Sequence, residues 1–115
     1  MTIKEQINSL IKQSKSARSV NQYIENDSLI AYVRITKRYI EGKIVDTIDI
    51  ANVSVYEEYQ NKGIFKEFLQ LVESLAFENN KVVYIESVLN PLLIDKLTQY
   101  EYLEVQNIHP PCFQK

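Results

Sequence analysis

Ile3, Ile7, Leu10 and Ile11 stand at helical spacing with polar residues between them, predicting an amphipathic helix that ends near Ser16. Val20–Glu25 has room for a short strand. Leu29, Ala31, Val33 and Ile35 then alternate with Ile30, Tyr32, Arg34 and Thr36, the pattern of a half-buried strand. Glu41-Gly42-Lys43 supplies a hairpin turn, because glycine tolerates positive φ. A second strand runs from Ile44 to Val55, and its apolar phase changes along the way. Ile48 and Ile50 share one parity, whereas Ala51, Val53 and Val55 share the other. Either a β-bulge near Ile50–Asn52 or burial on both faces produces that pattern.

The polar stretch YEEYQNKG follows, and from Gly63 the pattern is helical again. Ile64, Phe65, Phe68, Leu69, Val72, Leu75 and Ala76 form one wide apolar stripe, closed by Asn79-Asn80. Val82–Ile85 reads as a buried strand, completing a strand–helix–strand crossover between parallel strands. Asn90-Pro91 is an N-cap followed by proline at the first helical position, with Leu93, Ile94 and Leu97 as the apolar face. Tyr102–Ile108 is the last strand; after His109-Pro110-Pro111, Cys112–Lys115 offers at most a short edge strand. The order predicts an α/β (α+β) fold with a mixed sheet of five or six strands and helices on both faces.

The 115 residues fit a single domain, 1–115, and are 45% apolar and 24% charged, an ordinary globular composition. One Cys and one His exclude an internal disulfide and a structural zinc site, so no metal is expected. No apolar run approaches the roughly 18 residues of a membrane span. The N-terminus carries charges where a signal peptide needs an apolar core, and the expected setting is cytoplasmic.

Net charge is −2, unevenly distributed. Residues 1–45 carry eight Lys/Arg and four Asp/Glu; residues 46–115 carry five and eleven. A basic N-terminal half suits a polyanion, but it lacks the dense Lys/Arg clustering of a nucleic-acid binder, which argues against that partner. The eight Tyr and the apolar strand edges leave room for a homodimer.

Gly63, one of only two glycines, stands where a loop after a strand becomes the first turn of a helix. Unpaired amides at such a turn, together with the helix dipole, favour a phosphate. Gln60, Asn61 and Lys62 add donors and one positive charge. A glycine that merely turns the chain explains the same fragment.

VSVYEEYQNKGIFKEFL resembles the pyrophosphate loop of the GNAT superfamily of acyl-CoA N-acyltransferases. In that family a valine-like strand end is followed five residues later by Arg/Gln-x-x-Gly-x-Gly/Ala. Val55, Gln60 and Gly63 have that spacing, whereas Phe65 stands in the last, small position. VVYIESVLNPLLIDKLTQYEYLEV resembles the family's next strand–Asn–helix–strand unit. Asn90 takes the Asn position, Tyr102 the aromatic twelve residues later, and Glu101 stands where Gly is usual. The resemblance covers about residues 28–108.

The resemblance implies acetyl-CoA bound between two splayed parallel strands ending near Val55 and Ser87. Main-chain groups of Val53, Ser54 and Val55 would hold the pantetheine. Gln60, Asn61, Lys62, Gly63, Ile64 and Phe65 would surround the pyrophosphate, and Asn90 would bond the pantetheine arm. A primary amine on a small molecule or peptide would attack the thioester directly, which needs a base. The family's base position, six residues before the valine, is Asp49; an exposed Asp beside Arg34 or Arg38 is the alternative. The family's acid position, seven residues after the Asn, holds Leu97 instead of Tyr, leaving Tyr100 as a substitute. The alternative function is a non-catalytic module that binds CoA or a macromolecular partner.

Overall fold

A computed structural model of the protein describes residues 1–17, 19–86, 99, 102–104 and 113–114. Helix α1 (Ile3–Ser14) begins at a capping box that the apolar pattern alone did not announce. Thr2 Oγ1 accepts from Glu5 N–H at 3.1 Å, and Glu5 Oε1 accepts from Thr2 N–H at 3.0 Å. Strand β1 (Val20–Glu25) pairs antiparallel with β2 (Leu29–Ile40), which pairs antiparallel with β3 (Lys43–Val55). The β2–β3 turn is Glu41-Gly42, both at positive φ (48° and 83°). That is the geometry whose twist matches a hairpin.

Both readings of β3 hold, in different parts. The register runs from Val33↔Ile50 to Tyr32↔Asn52, so Ala51 is an extra residue and the bulge lies where the phase change predicts it. Thr47–Ile50, just before it, are buried on both faces of the strand.

A short 3₁₀ turn (Glu57–Tyr59) leads into α2 (Ile64–Glu78), and β4 (Val82–Ile85) returns parallel to β3, from Thr47↔Val82 to Ile50↔Ile85. The C-terminal part supplies β5 (Leu103–Glu104) and β6 (Phe113–Gln114). The sheet order is β1-β2-β3-β4-β6-β5. The final segment therefore lies between β4 and β5 and not at the edge, as its brevity and the prolines suggested. Pairing antiparallel to both neighbours inserts it.

Both described helices pack on one sheet face. Ile3, Ile7, Leu10 and Ile11 of α1 and Phe68, Leu69, Val72, Leu75 and Ala76 of α2 share a single core. Leu29, Ala31, Val33, Ile35, Ile48, Ile50, Val83 and Ile85 form its floor. Each buried aliphatic side chain contributes about 1.5–3 kcal/mol of transfer free energy. The helix expected from Asn90 lies outside the described residues. Gln6 of α1 closes part of the outer edge of β1: its side chain donates to Glu25 O at 2.8 Å and accepts from Glu25 N–H at 3.0 Å.

Candidate functional site

The bulge at Ala51 reorients everything after it. Before it, Ile48 and Ile50 face the helices; after it, Val53 and Val55 do, packed against the same core. Main-chain direction changes with side-chain parity. Tyr56 N–H donates to Ser28 O at 2.9 Å, towards β2. Alternation then turns the peptide groups of Val53 and Val55 towards the β4 side.

The last described bond between β3 and β4 is Glu86 N–H to Ile50 O at 3.0 Å, and β3 runs on from there to Val55; the fork implied by the family resemblance would begin at this point, and its β4 arm lies outside the described residues. Gln60 reaches back to the end of β3, its Nε2 donating to Val55 O at 3.1 Å. Gln60 thus has a bond to the strand end, a role distinct from facing a phosphate.

The loop between them is shaped by two left-handed residues, Asn61 (φ 62°) and Gly63 (φ 78°). Gly63 is the N-cap of α2, and no side chain caps that helix. A left-handed N-cap explains why glycine stands there. Nothing lies within 4 Å of where a Cβ would project, so the same residue leaves the helix start open to a ligand. Lys62 Nζ sits 5.8 Å from the centre of the Tyr59 ring.

On the sheet face opposite the helices, beside that last bond, lies a charged cluster. Asp49 is fully buried, not the exposed strand carboxylate that alternation allowed. Its Oδ1 accepts from Thr47 Oγ1 at 2.5 Å and its Oδ2 from Arg38 Nε at 2.6 Å; Arg34 Nη1 stands 3.9 Å away. Glu86 Oε1 accepts from Arg38 Nη2 at 2.6 Å, and its Oε2 from Arg34 Nη1 at 3.0 Å. The Arg38 guanidinium lies over the buried Tyr84 ring at 4.3 Å.

Burial pushes the Asp49 carboxyl above its ordinary range, against the Thr47 hydroxyl and the Arg38 charge, which pull it down. Burial also works against the Arg38 charge, but Asp49 and Glu86 more than offset it, and the guanidinium is held even more firmly protonated.

Of the residues singled out by sequence, Asp49, Val53, Ser54 and Val55 lie on β3, and Gln60–Phe65 form the loop and first turn between β3 and α2. Tyr100 and Asn90 lie outside the described residues. Sequence reading missed Glu86. The signal was its place at the end of VVYI, on the Tyr84 parity, where a charge follows four buried or half-buried residues. Three of the eight cations of the N-terminal half are paired here: Arg34 and Arg38 with Asp49 and Glu86, and Lys37 with Asp46 at 2.7 Å. These pairs offset part of the charge asymmetry along the chain across the sheet. Among the described residues no cluster has the make-up of a metal site, and no helix is long and apolar enough to cross a membrane.

Residues 3–91 match the model of the acetyltransferase (GNAT) family. No curated protein sequence matches the chain. Among solved structures, it resembles a protein of Agrobacterium tumefaciens proposed to be an acetyltransferase, with 18% identity and a TM-score of 0.61. It also resembles a GNAT-family acetyltransferase of Listeria monocytogenes, with 12% identity and a TM-score of 0.54. Each likeness covers 97% of this chain and 88% of the other, and at these identities it is one of fold.

Proposed function

The chain belongs to the acetyltransferase (GNAT) family, and we propose on that premise that it transfers an acetyl group from acetyl-CoA to a primary amine. One observation carries the reading: β3 runs on from its last described bond to β4, at Ile50, to Val55, with the Val53 and Val55 peptide groups on the β4 side, and the chain then enters α2 through left-handed Gly63, whose Cβ position is clear. The residues fit the donor. The Val53 and Val55 peptide groups offer a strand edge to the amides of a pantetheine arm. The amides of Gly63, Ile64 and Phe65, with Asn61 and Lys62 beside them, suit its diphosphate, while Gln60 holds the strand end through Val55 O.

In this reading the uncharged amine attacks the thioester carbon, the C–S bond breaks, and the leaving thiolate takes up a proton. The ammonium proton goes to the carboxylates at the fork. Asp49 supplies the basicity, its carboxyl raised by burial, and Glu86 is the solvent-facing partner, 19% exposed where Asp49 is 0%.

The test has two parts. Acetyl-CoA should raise the melting temperature, by about 2.7 kcal/mol of added stability at a hundred times its Kd. Thiol release in the presence of a panel of amines should follow. Absence of the thermal shift overturns the reading in full. A second reading, a module that binds CoA without catalysis, is favoured by the Arg38 and Thr47 bonds that occupy both Asp49 oxygens. A thermal shift without turnover on any amine would select it.

A further inference from the structure

The charged cluster has a composition that the acyl-transfer reading does not require. Two guanidiniums and two carboxylates meet within hydrogen-bond distance, and their charges cancel. A polycationic acceptor approaching this face meets Arg34 and Arg38. A polyanion meets Asp49 and Glu86. A molecule carrying one charge of each sign, a few bonds apart, meets a complement to both.

The exposures give that complement a direction. Asp49 is fully enclosed, whereas the side chains of Arg34 and Glu86 are 30% and 19% exposed. Arg34 binds Glu86 through Nη1 alone, at 3.0 and 3.3 Å. Among the described residues its Nη2 and Nε bond no carboxylate, which leaves the forked side of the guanidinium for another.

Beyond Arg34 the same sheet face turns aromatic. The Arg34 guanidinium lies 5.9 Å from the centre of the Tyr32 ring. Tyr32 stacks against Tyr23, its register partner on β1, with ring centres 4.7 Å apart and planes tilted by 55°. Tyr23 is 61% exposed. Carboxylate, guanidinium and aromatic pair thus follow one another from Glu86 towards the edge strand.

We propose that the acceptor is a free α-amino acid with an apolar or aromatic side chain. The inference rests on the acyl-transfer reading and deepens it. The ammonium group sits against Glu86, next to the fork where acyl transfer occurs. The α-carboxylate takes the open side of Arg34, and the side chain lies on Tyr32 and Tyr23. Arg34 is then the specificity-determining residue: it separates amino acids from amines of the same shape without a carboxylate.

The test compares phenylalanine, phenylalaninamide, phenethylamine and spermidine as acceptors, following thiol release and the mass of the product. Phenylalanine should exceed phenylalaninamide and phenethylamine in kcat/KM by tenfold or more. In Arg34→Gln that ratio should collapse towards one, through a higher KM for phenylalanine. Arg34→Lys should keep part of the preference, because it keeps the charge but loses the fork. Melting curves of both variants establish that they are folded; should Arg34→Gln not fold, Arg34→Lys carries the comparison. A preference for phenethylamine or spermidine, or a ratio that survives loss of the guanidinium, overturns this inference and leaves acyl transfer standing. Transfer to none of the four overturns the amino-acid acceptor; extending the amine panel then decides the acyl-transfer reading by itself.

Discussion

Asp49 stands opposite Arg34 in the β2–β3 register, yet its closest guanidinium belongs to Arg38, four residues further along β2, with Nε 2.6 Å from Oδ2. Arg38 thereby spans Asp49 on β3 and Glu86 just after β4, and fastens β2 to both strands.

Replacing Arg38 tests that fastening. Arg38→Gln leaves a buried carboxylate with Thr47 as its hydrogen-bond partner and only the more distant Arg34, at 3.9 Å, as a cation among the described residues. Breaking a buried pair in this way costs about 3–5 kcal/mol; with Arg38 partly exposed, about 2 kcal/mol is expected. The sign with pH follows. The folded Asp49 carboxyl already lies above its unfolded value, and losing the Arg38 charge raises it further. The folded state then binds more protons than the unfolded state, so stability grows as pH falls. The deficit in melting temperature should be largest near neutrality and shrink towards about pH 5. Adding Asp49→Asn should recover part of the loss at pH 7.

Asp49→Asn alone tests the base. The wild-type rate should climb with pH as the acceptor amine, with a pKa of about 10 for an alkylamine, loses its proton. The variant should be slower by about tenfold to a hundredfold below about pH 8, and the gap should close at higher pH, where solvent removes the proton. The acetyl-CoA thermal shift should persist. An unchanged pH–rate profile would remove Asp49 from the proton path.

Gly63→Asp tests the helix start. A side chain fits the open space but must adopt φ near 78°, a strain of about 1 kcal/mol. Its carboxylate then faces the place where a diphosphate would bind. The variant should remain folded and lose the thermal shift given by acetyl-CoA. Retention of the full shift would place the diphosphate elsewhere.

Deleting Ala51 tests the bulge. Without the extra residue Asn52 follows Ile50 directly, the pairs Val33↔Ile50 and Tyr32↔Asn52 become consecutive, and plain alternation keeps Val53 and Val55 on the helix face. The deletion should therefore stay folded and lose only the local bend and twist of the bulge, and Ala51→Gly, which keeps the bulge, should cost about 1 kcal/mol or less. Unfolding of the deletion at room temperature, read from its melting curve, would mean that the bend at the bulge, and not only the phase of Val53 and Val55, holds β3 on the core.

Periodicity determined most of the architecture. The stripes of α1 and α2, the alternation of β2, the glycine turn at Gly42 and the phase change around Ala51 are local consequences of which side chains leave water. The chain announces them one element at a time. Gly63 was legible for the same reason, since a left-handed helix start admits few other residues. Only the tertiary structure decided what the polar strand positions do. Arg34, Arg38, Asp49 and Glu86 are separated by up to 52 positions, and alternation gives each a face but not a neighbour. Asp49 looks solvent-facing in its own strand and is buried because Arg38, four residues beyond its register partner, folds back over it. The place of Phe113–Gln114 inside the sheet was hidden likewise: two residues have no period, and strand order is set by pairing between distant segments.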